Sequence, residues 1–92
     1  MPKYVIEREV EGAGDLTSEE LQGISQKSCS VLEALGPKIQ WLETFVTTNK
    51  IYCVFIADDE DLVRKHAEMG EFPISQVNEV KSVIDPTTAE VA

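Results

Sequence analysis

His66 is the only histidine in a chain of 92 residues. Imidazole suits two tasks above others, holding a borderline-soft metal ion and moving a proton near neutral pH. Three carboxylates, Glu7, Glu43 and Glu79, stand among apolar neighbours in stretches rich in strand formers. Glutamates so placed line a wet cavity, pair with a cation such as Arg8 or Lys81, bind a metal ion, or lie solvated at strand ends. With His66 they form a candidate ligand set for a divalent transition metal. Tyr4, Trp41, Tyr52 and Cys53 are candidates for lining a pocket, because aromatic rings with one polar handle often do so. Each residue also has a plain structural reading. His66 follows Leu62 by four positions and would pack at the sheet edge, bonding a carbonyl. Cys53 sits among apolar residues with no cation nearby in sequence, and so behaves as a small hydrophobe.

Other motifs exclude more than they suggest. The run Asp58-Asp59-Glu60-Asp61 lacks the glycine and the distant glutamate of a calcium loop, and serves as cap and dipole complement for a helix. Gly12-Ala13-Gly14 has no lysine after it and cradles no phosphate. Cys29 and Cys53 are too few for a disulfide scaffold and lack C-x-x-C spacing, which points to reduced thiols in the cytoplasm. The start, MPKYVIEREVEG, carries no signal-like apolar run, and no stretch is long enough to span a membrane. Seventeen acidic residues against eight basic ones give a net charge of −9, which attracts cations and argues against nucleic acid as a partner.

The elements that position these residues follow from periodicity. Residues 3–10 alternate as a strand, with Tyr4, Ile6 and Val10 on one side and Glu7 and Glu9 on the other. Thr17 or Ser18 caps a helix whose apolar positions run from Leu21 to Leu35, and Gly36-Pro37 ends it. Residues 38–48 alternate Ile39, Trp41, Glu43 and Phe45 against Gln40, Leu42, Thr44 and Val46. A turn at Asn49-Lys50 leads into Ile51–Ala57, a nearly continuous apolar strand. Asp58 or Asp59 caps a second helix that Gly70 closes as its left-handed residue, and residues 75–85 make a fourth strand. One domain, 1–92, is expected, with an ordered core of about 3–86 and a frayed tail at 87–92.

This order is β-α-β-β-α-β, an α+β ferredoxin-like arrangement with a four-stranded antiparallel sheet and both helices on one face. The first strand should lie centrally, beside the third. The sheet's other face also carries large apolar groups, so a homodimer packed sheet to sheet, a dimeric α+β barrel, is expected.

Three segments carry a resemblance: YVIER near the start, WLETFVTTNKIYCVFIA in the hairpin, and RKHAEMGEFP after it. Trp41, Tyr52-Cys53, His66-Ala67, Gly70 and Phe72-Pro73 fall in the order and spacing of a family of short bacterial proteins of unknown function. Its best-described type is an actinobacterial nickel-binding, nickel-responsive protein. The resemblance spans roughly residues 3 to 86 and departs from the pattern at Thr44-Phe45 and at Glu71, which separates Gly70 from Phe72. It implies a dimeric ferredoxin-like fold and a binding protein for nickel or another divalent transition metal. An enzyme or small-molecule module using a pocket between sheet and helices is the alternative, with His66 beside Glu7 or Tyr52 as its working pair.

Overall fold

The computed structural model describes residues 1–90. Four strands, β1 (Lys3–Glu9), β2 (Ile39–Val46), β3 (Lys50–Ala57) and β4 (Gln76–Glu79), form one antiparallel sheet in the order β2-β3-β1-β4. Two helices, α1 (Ser18–Leu35) and α2 (Glu60–Gly70), complete the β-α-β-β-α-β order. They pack on each other and on one face of the sheet. As expected, β1 is central and pairs with β3 along its length, Lys3 opposite Ile56 through Glu9 opposite Lys50.

Alternation in the two central strands decides which side chains meet the helices. Tyr4, Ile6 and Arg8 of β1 are buried, as are Ile51, Cys53, Phe55 and Ala57 of β3, while the residues between them are less so. Val63, Ala67 and His66 of α2 close over this face. The helices start where their chemistry allows. Thr17 and Glu20 form a reciprocal capping box at 3.1 and 3.0 Å, and Asp59 accepts from the Leu62 amide at 2.9 Å.

Four details depart from the periodic reading. The left-handed residue that ends α2 is Glu71, with φ 57°, whereas Gly70 is still helical. Gly70 is glycine for room: a Cβ there would lie 2.3 Å from the Phe72 ring. β4 is shorter than expected because β1 gives it no more backbone beyond Lys3, whose carbonyl accepts the Val80 amide, and Pro2 has no N–H. Val83 and Ile84 are consequently exposed. After them Pro86–Glu90 forms a 3₁₀ turn, held by the Thr88 amide on the Asp85 carbonyl, where fraying was expected; Val91 and Ala92 lie outside the described residues.

The fourth departure lies in β2. Trp41 pairs with Phe55 and Glu43 with Val54, so Leu42 is an extra residue in a β-bulge. The strict alternation of residues 38–48 breaks there. Ile39 and Trp41 face the helices before the bulge, and Thr44 and Val46 face them after it. Glu43 and Phe45 are turned to the opposite face of the sheet.

Candidate functional site

Between α1 and the helix-facing side of the sheet lies a cavity of about 340 Å³. Leu21 and Ile24 of α1 wall one side, and Val46 and Ile51 of the hairpin wall the other. Its polar groups are few. Arg8, Ser25, Ser28, Thr44, Cys53 and His66 interrupt a lining that is otherwise mostly hydrocarbon. Ile24 and Val46, 39% and 40% exposed, mark where the chamber meets solvent.

Arg8 reaches the chamber because its position in β1 continues the inward phase of Tyr4 and Ile6. Its side chain is 4% exposed. Nη1 donates to the Pro73 carbonyl at 2.8 Å and Nε lies 3.5 Å from Cys53 Sγ. The guanidinium carbon is 5.5 Å from the centre of the Phe72 ring, a cation–π distance, and Lys27 Nζ lies equally far from that ring. The absence of a Cβ at Gly70 therefore has a purpose at the site, since it lets the ring sit where it meets both cations.

His66 is 1% exposed. Its ring stands between Phe55, with centroids 4.9 Å apart, and Phe72, stacked at 5.4 Å. Nε2 shares a 3.0 Å hydrogen bond with Ser28 Oγ, whereas Nδ1 is buried without a partner. Burial, and secondly the charge of Arg8, push its pKa from 6.5 down to about 4, so the imidazole is neutral at physiological pH. Ser28 and His66 have the spacing of a nucleophile and its base. No acceptor on Nδ1 fixes the tautomer, however, and an imidazole of such low basicity is a poor general base.

The residues singled out from sequence divide between four places. Trp41, Cys53 and His66 line the cavity, and the Trp41 indole N–H donates to Thr44 Oγ1 at 2.8 Å. Tyr4 is buried in the core outside the lining. Glu7, Glu43 and Tyr52 lie on the opposite face: Glu7 pairs in register with Tyr52 and sits 3.7 Å from Lys50 Nζ, while Glu43 stands opposite Val54. Glu79 lies opposite Tyr4 at the β4 edge and accepts a hydrogen bond from Lys81 at 2.9 Å. The sheet thus separates His66 from Glu7 and Glu43, and the four proposed ligands do not share a site. Among the described residues no three His, Cys, Asp or Glu side chains are grouped as a metal centre. His66 also has one nitrogen engaged by Ser28 and none facing a carboxylate, so the residues present do not fit a nickel ion held within one chain.

Periodicity alone did not single out Arg8, Ser28 or Phe72 for the site. For Arg8 a signal existed, because Tyr4, Ile6 and Arg8 alternate in a strand whose even positions are the apolar ones. Ser28 falls at helical spacing between Ile24 and Val31, which turns it inward with the apolar stripe, whereas for Phe72 the signal is tertiary and only the packing of the loop after α2 reveals it.

Comparison with known proteins agrees with this architecture. The model of the family described as nickel responsive protein SCO4226-like matches residues 4–80. The crystal structure of SCO4226 from Streptomyces coelicolor A3(2) superposes with a TM-score of 0.75, at 15% identity, over 89% of this chain and 99% of that one. At that identity the likeness establishes the fold alone. No curated protein matched. With the family model spanning both helices and all four strands, the chain belongs to the SCO4226-like, nickel-responsive family.

Proposed function

We propose that the chain acts as a small-molecule-binding module, working as a homodimer in the cytoplasm, with its ligand in the cavity between α1 and the sheet. One observation carries this reading: a chamber of about 340 Å³ whose mostly apolar wall is interrupted by a few fixed polar groups. Ligand sites are commonly of this kind, and well-packed cores rarely leave so large a void unfilled. The polar groups are held in place, Arg8 by Pro73 and Cys53, and His66 by Ser28 and two aromatic rings.

The dimer is supported by the second face of the sheet, where Val5, Tyr52, Val54 and Ile56 are only half-buried and Phe45 is 55% exposed. A second copy offers the same surface, and a two-fold contact would cover both. The cytoplasm is supported by two unpaired cysteines, one of them exposed, which suit a reducing compartment. This reading puts no nickel in the cavity, because no group of three metal-binding side chains is assembled among the described residues, and the response named for the family is compatible with a ligand other than the metal.

Trp41 lines the cavity and is the sole tryptophan, so its fluorescence reports on occupancy. Amphiphiles of about ten non-hydrogen atoms, sized by the liquid volume of the chamber, should be tested as neutral, anionic and cationic members of one series. A saturable change with at least one charge class, lost when Ile24→Phe blocks the mouth, is the expected result. No saturable response in any class would overturn the reading.

A further inference from the structure

Among the described residues the cavity lining carries a single formal charge, and it is positive. Arg8 carries that charge on its guanidinium, and His66 beside it is neutral at physiological pH. Buried charges in proteins are normally paired with an opposite charge. Arg8 has no such partner among the described residues, where the ion pairs join Lys50 to Glu7, Arg64 to Glu60 and Lys81 to Glu79. Its contacts are instead neutral: the Pro73 carbonyl, the Cys53 sulfur and the face of Phe72. Nη2 donates to no described group. The chain has 17 acidic residues, yet none of their carboxylates lines this chamber.

An unpaired guanidinium at one place and hydrocarbon walls around the rest specify the two ends of a ligand. Guanidinium binds carboxylate through charge-assisted and often bidentate hydrogen bonds, and these strengthen where water is scarce. The walls of Leu21, Ile24, Val46 and Ile51 accept an apolar body. A volume of about 340 Å³ corresponds to roughly eleven water molecules of liquid, and hence to a molecule of about ten non-hydrogen atoms. Lys27, over the same Phe72 ring as Arg8, adds positive potential there in a molecule whose net charge is −9.

We propose that the cavity takes a small organic acid, its carboxylate paired with Arg8 and its hydrocarbon body against α1 and the hairpin. This rests on the reading of the cavity as a binding site and gives that site its ligand class. The probes are octanoate, 1-octanol and octylamine, titrated near neutral pH against the intact chain while Trp41 fluorescence is followed. Octanoate should bind about tenfold or more tighter than 1-octanol, and octylamine weaker than either. The preference for octanoate should vanish in Arg8→Met and survive in part in Arg8→Lys. Equal binding of octanoate and 1-octanol would overturn the organic-acid assignment while leaving a binding cavity in place. Binding of none of the three would remove the assignment and the cavity reading together. A preference for octanoate that persists in Arg8→Met would also overturn it. Should Arg8→Met fail to fold, the wild-type ligand series and Arg8→Lys decide the question.

Discussion

A neutral imidazole held without an acceptor for Nδ1 makes the fold sensitive to acid. In the folded chain the His66 pKa lies near 4, against 6.5 for the unperturbed group. Between those values the unfolded chain binds a proton that the folded chain does not, so acidification favours unfolding. Stability from this residue is complete above about pH 6.5 and falls as pH drops towards 4, by up to about 3 kcal/mol over the window. Urea unfolding at pH 7 and pH 5 should show about 2 kcal/mol of this loss in the wild type and its near absence in His66→Gln. An equal pH dependence in both proteins would assign the proton to another group. Residues of this kind were unevenly legible in the sequence. His66 was conspicuous as a lone histidine on the stripe of Leu62, but whether its nitrogens met ligand or protein depended on Ser28, 38 positions away. Arg8 was visible in phase with Tyr4 and Ile6, yet an arginine in an acidic chain reads first as a partner for glutamate. Only the structure shows it buried and bonded to Pro73 and Cys53, with no ion pair to a carboxylate among the described residues.

Local rules placed the elements well because caps and alternation are properties of adjacent residues. Thr17, Glu20 and Asp59 cap their helices as their types suggest. The end of α2 was the exception. A glycine there suggests a left-handed closing residue, but Gly70 is needed for the approach of Phe72, and the left-handed conformation passes to Glu71. A glutamate at φ 57° carries a strain of about 1 kcal/mol that glycine would not. Glu71→Gly should therefore raise the melting temperature, since the Glu71 side chain makes no described hydrogen bond or ion pair. Gly70→Ala should lower it by about 1–3 kcal/mol of stability through overpacking against the ring. Differential scanning calorimetry of the two variants tests both signs, and a stabilising Gly70→Ala would contradict the packing role assigned to that glycine. β4 was overextended from sequence for a different reason. Val80, Val83 and Ile84 look like strand residues, but a strand needs a neighbour, and the length of β1 sets that limit.

At the scale of the whole molecule the sheet presents two dissimilar apolar faces. One is covered by α1 and α2 and holds the cavity, and the other carries Phe45 beside Val54 and Tyr52. If that second face joins two copies, Phe45→Glu should convert the dimer to a monomer in light scattering at micromolar concentration. Octanoate should still bind such a monomer, because Phe45 does not line the cavity. A wild-type protein that is monomeric at that concentration would remove the dimer from the proposed function. The fold at this scale was fully legible, since the order of strands and helices leaves few right-handed arrangements. The cavity was not, because a void is defined by what several elements fail to fill.

The bulge at Leu42 has a consequence for what the chamber contains. Were β2 to pair without the extra residue being looped out, each position after Trp41 would move by one along β3. Glu43 would then stand opposite Cys53 and Phe45 opposite Ile51, and both of those β3 residues face the cavity. A carboxylate would arrive beside Arg8 and a phenyl ring would enter the hydrocarbon space. The chain would in effect supply its own occupant. One residue of slack in an edge strand thus separates a protein with a vacancy to fill from one already satisfied by its own sequence.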